Sequence, residues 1–432
     1  MSPIIKYHSL VYIIMGGGVS IIMNSRGLKY QTDIWPEMED NSCLRSVTGI
    51  PSDSTVDVEE KTIAYESLQS IKSPIVFRSS YVCHRRFYID PRYENLRAIG
   101  NSAFGLVASA YDTITGQYVA IKRVKGVFRD LRSARRILRE LTILRHLKNH
   151  ENIVRTCDIM SVPSNTLNMD DIYIVTNLFE TDLRRVIQSG QGLSDKHVKF
   201  FMYQILLAVK YIHSANVVHR DLKPSNILIN ADCEVALCDF GMPQDCVAAD
   251  EQNDTLMEIG LTCWYHAPEL LCNCVYGKPV DVWSAGCIFA EIMTGRPLFR
   301  GQNTQHQMLM IVSKLGCPPA DRRSIIVSEP FISAILSVAN EEVRPFEDRF
   351  TTDVDPLALQ LMRKMLAFHP EDRVTVEEAL NHAYFSEFNS LFVESESKEV
   401  FDFNLDNCIS HDLCESELRA LFLAEVKLYR DG

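Results

Sequence analysis

The sequence lacks a C-x-x-C framework, a surplus of basic charge and an uninterrupted apolar run of membrane-spanning length. Each lack closes off a class of function. The thirteen cysteines are an odd number, scattered from Cys43 to Cys414. The nearest approach to a metal pattern is Cys272 with Cys274, and no second pair at zinc-site spacing accompanies them. That usage reads as the reduced thiols of a cytosolic protein. Lys and Arg number 44 against 56 Asp and Glu, a formal net charge of −12. Sequence-independent nucleic-acid binding feeds on dense Lys and Arg, so direct contact with nucleic acid is not expected. What is present is an ordinary globular composition: 432 residues, 46% hydrophobic and 23% charged. A chain of this length can bury a large core. At ~150 residues per domain it allows two or three domains.

Residues 1–90 read as an N-terminal extension. Between Lys6 and Arg26 there is no Asp, Glu, Lys or Arg, and the run carries LVYIIM at 10–15 and VSIIM at 19–23 around Gly16, Gly17 and Gly18. Its length is marginal for a bilayer, which takes ~20 predominantly apolar residues. The glycines, His8, Ser9 and Asn24 weaken it further. Two readings stand: a signal sequence or anchor, or a nonfunctional leader from an over-extended start, which Met15, Met23 and Met38 downstream would fit. Residues 27–90 look linker-like, with acidic residues clustered at 53–60 and frequent Ser and Thr. No helical or strand period persists there, and most of the stretch is expected to be disordered.

At Tyr93 the pattern changes. YENLRAIG (93–100) leads into NSAFGLV (101–107), ASAYD (108–112), a turn at Thr115–Gly116 and QYVAIKRV (117–124). Apolar and β-branched residues flanking a glycine loop and a short turn predict consecutive antiparallel strands. Backbone N–H groups in such a loop can approach phosphate oxygens only where side chains are small. The loop has Gly100 and Gly105, but Ser102 where a full G-x-G-x-x-G has its second glycine. An ordinary hairpin would look the same, but VAIK at 119–122 puts a lysine on the third strand, where it can neutralise phosphate charge. Residues 131–148 recur apolar at helical spacing through Leu131, Ala134, Ile137, Leu138, Leu141, Leu144 and Leu147. Glu140 inside this helix is the natural anionic partner for Lys122.

HRDLKPSN stands at 219–226 and CDFG at 238–241. With these motifs the chain resembles a eukaryotic protein kinase. The glycine loop (100–107), VAIK, Glu140, HRDLKPSN, DFG, APE (267–269) and DVWSAGCI (281–288) fall in the family's order with suitable spacing. The resemblance implies a two-lobed α+β fold over 91–386. An antiparallel β-sheet N-lobe would span 91–178 and a mainly helical C-lobe 179–386, with ATP and Mg²⁺ between them. Ile99, Gly100, Ser102, Gly105, Val107, Ala120 and Lys122 would line the nucleotide, with Glu140 holding the lysine. Thr176 matches the gatekeeper position. Asn177 to Phe179 would meet the adenine edge through backbone groups, and Asp182 the ribose. Phosphoryl transfer is mostly positioning and charge neutralisation. Asp221 would take the substrate hydroxyl proton and Lys223 would sit over the γ-phosphate. Asn226 and Asp239 would hold Mg²⁺ through hard oxygen ligands. Lys223 and Thr262 resemble serine/threonine rather than tyrosine kinases. Glu269 and Arg373, in PEDRVTVEEAL (370–380), match a structural ion pair. Cys238 would be either a reactive thiol in the cleft or, more in keeping with its size, a packing residue. Dependence on cytosolic ATP would place the chain in the cytoplasm and/or nucleus, with membrane association not expected.

Several stretches resemble the MAP kinases, particularly the extracellular-signal-regulated type: RRILRELTILRHL (135–147), YIVTNLFETDL (173–183) and YQILLAVKYIHSANVVHRDLKPSNILIN (203–230). An insert at roughly 316–350 and a C-terminal extension at 387–432, with VFDFNLD at 400–406 running back across both lobes, also resemble that group. MAP kinases dock partners through acidic patches complementary to basic linear motifs. Asp232, Glu394 and Glu396 stand at the corresponding places, although a solvated acidic loop would look the same. Substrate proteins, docking-motif proteins and an upstream kinase are the partners implied. The resemblance breaks at the switch. Where MAP kinases carry T-x-Y this chain has Met257-Glu258-Ile259, and Cys263 and His266 replace two arginines. Arg136, Arg139 and Arg220, which would receive a phosphothreonine, remain, and Thr255 is a conceivable shifted acceptor. Met242-Pro243-Gln244 follows DFG, and a proline there fixes φ and removes a donor. Two readings follow: an active kinase with non-standard activation, or a pseudokinase that binds ATP and partners.

Overall fold

The computed structural model describes residues 77–102, 105–148, 150–162, 169–242, 263–272, 274–319, 332, 346–350, 354–388, 396–397, 399–401 and 413–431. The small lobe opens with a hairpin of β1 (Arg78–Val82) and β2 (Arg85–Ile89). It continues with β3 (Tyr93–Ser102), β4 (Gly105–Asp112), β5 (Gln117–Val124), helix α1 (Leu131–His146), β6 (Thr156–Val162) and β7 (Asp171–Asn177). Five strands form one antiparallel sheet in the order β3-β4-β5-β7-β6. Period-2 burial explains the sheet. Leu106, Ala108 and Ala110 on β4, with Val119 and Ile121 on β5, point to one side. On α1, Asp130 caps the first turn by accepting from the N–H groups of Arg132 and Ser133. The stripe Ala134, Ile137, Leu138 and Leu141 then faces the core.

The hairpin corrects one expectation. Residues 78–89, assigned above to the linker-like extension, pack on the five-stranded sheet. Phe87 and Ile89 are fully buried, the Tyr88 N–H donates to the Tyr173 hydroxyl at 3.1 Å, and Arg123 donates to the Arg86 carbonyl at 2.6 Å. The turn falls on Cys83 and His84, at φ 47° and 58°. Two-residue turns of this kind favour Asn-Gly or Asp-Gly, so no turn signal announced it. The rest of the extension, residues 1–76, lies outside the described residues.

The large lobe begins with β8 (Thr181–Asp182), α2 (Leu183–Gln188) and α3 (Asp195–Ser214), followed by β9 (Ile227–Ile229) and β10 (Val235–Leu237). The short strands pair in the order β10-β9-β8 and underlie the cleft. Next come α4 (Pro268–Leu271), α5 (Pro279–Thr294), α6 (Thr304–Leu315), α7 (Pro356–Met365) and α8 (Val376–Leu380). Helix α5 is buried on nearly every side, from Val280 to Ile292, and is the axle on which α3 and α7 pack. Gly295 ends it at φ 70°, the left-handed conformation that glycine takes without steric penalty.

The C-terminal extension returns to both lobes. The Phe401 N–H donates to the Ala215 carbonyl at 2.9 Å, and its ring lies edge-on to His146 at 5.4 Å. Helix α9 (Glu415–Asp431) then lies on α1 and β6, with Leu418, Phe422 and Val426 buried against Val124, Phe128, Ile137 and Leu141.

Candidate active site

Antiparallel pairing brings β5 and β7 together with Ala120 opposite Thr176 and Lys122 opposite Ile174. Lys122 therefore points from the sheet toward α1, where Glu140 meets it at 3.4 Å. Burial pulls the Lys122 pKa down, but the charges of Glu140 and Asp239 outweigh it and hold the ammonium above its ordinary value. Burial pushes the Glu140 carboxyl up while Lys122 pulls it back. At this distance the ion pair is the form that stands.

The glycine loop forms the roof. Gly100 pairs with Val107, and Ser102 with Gly105, across β3 and β4. A Cβ at Gly105 would lie 2.1 Å from the Arg123 carbonyl oxygen, so this position admits only glycine. Gly100 has open space where a Cβ would stand. Ile99, Val107 and Ala120 are half-buried at the mouth. At the hinge, the Asn177 side chain accepts from the Arg155 N–H at 2.9 Å, while Thr176 and Phe179 are half-buried. Asp182 caps α2 through the Arg185 N–H at 2.9 Å and also ion-pairs with the Arg185 side chain.

The floor is built around Asp281 on α5. Its buried carboxylate accepts the N–H groups of His219 and Arg220, each at 2.9 Å, and meets His213 Nε2 at 2.9 Å. Burial pushes this carboxyl up, and hydrogen bonding and charge from His213 bring it below the ordinary range. Asp281 thus pins a loop in which Arg220 sits at φ 68°, a strained value for arginine. The sequence showed DVWSAGCI but assigned Asp281 no role; the aspartate heading that motif was the available signal.

The pinned loop presents Asp221, whose Oδ2 accepts from Lys223 Nζ at 2.7 Å and from Asn226 Nδ2 at 3.3 Å. Asn226 also donates to the Asp221 carbonyl at 2.9 Å. Its amide nitrogen is therefore turned away, which leaves the side-chain oxygen for a hard cation. Asp239 faces the same space with its backbone at φ 66°. Its Oδ1 is sealed from solvent with no hydrogen-bond partner, and Arg136 Nη2 stands 3.5 Å away. Phe240 is buried beside the His219 ring at 4.8 Å. A carboxylate and an amide oxygen are hard donors that suit Mg²⁺, which takes one or two protein oxygens together with substrate phosphates. Among the described residues no group of three or more His, Cys, Asp or Glu forms a metal cage; a phosphate-bridged magnesium needs none. Burial drives the Cys238 thiol far above its ordinary pKa, and its Sγ lies 3.5 Å from the Asn226 carbonyl, so it packs rather than reacts.

Comparison with known proteins agrees with this geometry. The protein kinase domain family matches residues 93–385. Mitogen-activated protein kinase spm1 of Schizosaccharomyces pombe is 39% identical over 353 residues, 81% of this chain and 82% of that protein. Mitogen-activated protein kinase 3 of Arabidopsis thaliana is 40% identical over 328 residues, 76% of this chain and 86% of that protein. Extracellular signal-regulated kinase 1 of Dictyostelium discoideum is 39% identical over 352 residues, 81% of this chain and 65% of that protein. The chain belongs to the protein kinase family, among the MAP kinases.

In this MAP kinase the pair Glu269–Arg373 is bidentate, at 2.7 and 3.1 Å, and wholly buried. Arg373 also stacks over Trp283 and donates to the Pro279, Ala367 and Phe368 carbonyls. Arg139 and Arg220 converge on the Met242 carbonyl at 3.4 and 3.3 Å. Pro243, Gln244, Thr255, Met257, Glu258, Ile259 and Thr262 lie outside the described residues. His266 is buried with neither ring nitrogen hydrogen-bonded, and burial lowers its pKa to about 4. Of the docking candidates, Asp232 is exposed between β9 and β10, and exposed Glu396 lies 3.8 Å from Lys210 on α3. Glu394 lies outside the described residues. Among the described residues no helix is long and apolar enough to cross a membrane.

Proposed function

We propose that this MAP kinase family member transfers the γ-phosphate of ATP to serine and threonine hydroxyls of proteins, and does so without a T-x-Y switch. The observation that carries the reading is the Lys122–Glu140 ion pair at 3.4 Å in a chain whose switch positions read Met257-Glu258-Ile259. That pair and a cleft-facing Asp239 are both required for kinase chemistry.

Lys122 neutralises charge on the α- and β-phosphates, beneath the glycine loop of Gly100 and Gly105. Asn226 and Asp239 would hold Mg²⁺, which when bound would neutralise the charge that spreads over the transferring group. Asp221 accepts the proton of the substrate hydroxyl as its oxygen bonds to the γ-phosphorus and the bond to the β–γ bridging oxygen breaks, releasing ADP. Lys223, already on Asp221, stabilises the charge shifted onto the phosphoryl oxygens. Ile99, Val107, Ala120, Thr176, Asn177, Phe179 and Asp182 supply the adenosine pocket, and Ser102 stands in the phosphate-covering loop. Basic linear motifs of substrate and regulatory proteins dock through the acidic residues Asp232, Glu394 and Glu396, in the cytoplasm and/or nucleus.

The test is phosphate transfer from labelled ATP to a generic serine/threonine substrate by the full chain with Mg²⁺, beside an Asp221→Asn control. Transfer by the parent and not by the control is the expected result. ATP binding without transfer would sink the proposal and leave a nucleotide-binding partner protein in its place.

A further inference from the structure

We propose that His266 binds the main chain of the protein substrate beside its phosphoacceptor hydroxyl, and so helps to decide which serines and threonines this kinase accepts. The inference rests on the reading of Asp221 as the group that receives the hydroxyl proton. His266 is 1% exposed, and neither ring nitrogen has a hydrogen bond. Among the described residues the other buried histidines, His150, His213, His219, His369 and His382, each have a ring nitrogen engaged. Buried polar groups are ordinarily hydrogen-bonded, and a ring with two sealed, unpaired nitrogens calls for an explanation.

Helix α5 carries this ring to the reaction centre. Asp281 on α5 accepts the N–H groups of His219 and Arg220, the two residues before Asp221. One turn on, Ser284 Oγ donates to the carbonyl of Tyr265, the residue before His266, at 2.7 Å. Glu291 on the same helix accepts from the Tyr265 hydroxyl at 2.6 Å, and Trp264 Nε1 donates to the Gly301 carbonyl at 2.9 Å. The ring therefore cannot swing away to find a partner of its own. Burial is the largest influence on it and keeps it neutral, and the charges it feels are Asp221 and Lys223. Those two satisfy each other at 2.7 Å and leave the ring to an incoming group. A neutral imidazole has one N–H donor and one bare acceptor. A peptide group offers the matching carbonyl and N–H. Asp221 is itself only 3% exposed, so a substrate that opens the way to Asp221 opens it to the ring as well.

The test measures binding of a fluorescein-labelled serine peptide to the full chain, with Mg²⁺ and a saturating non-hydrolysable ATP analogue. The peptide is the tightest binder from a library degenerate on both sides of the serine. His266→Leu removes both ring nitrogens at similar volume and should weaken the peptide Kd about tenfold, about 1.4 kcal/mol, with a parent-like Kd for the nucleotide. His266→Gln, which keeps a donor and an acceptor, should recover part of that loss. N-methylating the serine nitrogen and the next residue's nitrogen in turn should cost the parent about tenfold at one of the two positions, and should cost His266→Leu nothing further there. A parent-like peptide Kd for His266→Leu overturns the proposal. So does an N-methylation penalty equal in the parent and His266→Leu at both positions, the result if the ring shapes only the local fold. A parent that holds no peptide of the library overturns it too. Peptide binding that follows His266 as expected, without transfer from ATP, would instead sink the kinase reading and leave this inference standing.

Discussion

Phe422→Ala tests whether the C-terminal helix holds the catalytic machinery in place. Phe422 is fully buried and meets Phe128 edge-on at 5.4 Å, between the small lobe's sheet and α1. Truncating a buried phenylalanine to alanine costs roughly 3–5 kcal/mol. The polar contacts of α9 cannot make this good. Arg145–Glu425 is bidentate at 3.0 Å, but the arginine side chain is 37% exposed, so the pair contributes about 1 kcal/mol or less. Arg430–Asp158 at 3.2 Å and the Arg419 hydrogen bond to the Met169 carbonyl add contacts of the same modest kind. A docked terminal helix opens locally at only a fraction of the whole domain's stability, which is roughly 5–15 kcal/mol. The substitution should therefore release α9 and uncover Ile137, Leu138 and Leu141 on α1. Loosened α1 carries Glu140 away from Lys122, so kcat/KM for ATP should fall about tenfold or more, about 1.4 kcal/mol. Hydrogen exchange should rise in α9 and α1 together and leave α5 unchanged. Parent-like exchange in α1, or an unchanged ATP dependence once α9 is released, would refute the reasoning.

Arg373→Ala should leave Glu269 charged and unpaired in the core, a loss of about 3–5 kcal/mol that lowers the melting temperature by roughly 10 °C; a shift within about 2 °C would show the pair to be dispensable. Gly105→Ala forces a Cβ onto the Arg123 carbonyl oxygen, so the glycine loop must move; kcat/KM for ATP should fall roughly ten- to a hundredfold, and unchanged kinetics would show that the loop does not position phosphate. Buried His266 has a pKa lowered to about 4, so protons bind the unfolded state first. Its contribution is present above the ordinary histidine value near 6.5 and is lost as pH falls toward 4, amounting to about 2 kcal/mol by pH 5. In chemical unfolding at pH 7.5 and 5, His266→Met should lose less stability than the parent by that amount, and equal losses would count against it.

The cluster proposed to carry the chemistry was legible in the sequence because phosphoryl transfer fixes both residue type and spacing. Asp221, Lys223 and Asn226 lie within six residues and form one cluster through 2.7–3.3 Å contacts. Lys122 and Glu140 needed only a strand followed by a helix of the right phase. Long-range devices were legible only where the family resemblance supplied them, as for Glu269 and Arg373. Asp281 acts on His219 and Arg220, 62 and 61 residues earlier, and no local pattern states that pairing. The hairpin at 78–89 hid because left-handed Cys83 and His84 make its turn without glycine or asparagine. Helix α9 carries Leu418, Phe422 and Val426 at four-residue spacing, but a period alone does not say which surface it covers.

The position of α1 is set from three sides, and none of them needs a phosphate. Lys122 holds it through Glu140, and α9 covers its apolar stripe. Arg139 ties it to the Met242 carbonyl, the same oxygen that Arg220 reaches from the pinned catalytic loop. The last contact joins α1, the catalytic loop and the segment after DFG through one main-chain oxygen, where a phosphate-dependent kinase would recruit an added anion. Activity should therefore survive removal of phosphate. The full chain, treated with a broad-specificity protein phosphatase and then freed of it, should transfer phosphate at a rate within about twofold of the untreated protein, a difference of only about 0.4 kcal/mol. A loss of tenfold or more, restored by incubation with ATP and a second kinase, would mean that an added phosphate does hold α1, and that Thr255 or another acceptor has taken over from the missing T-x-Y.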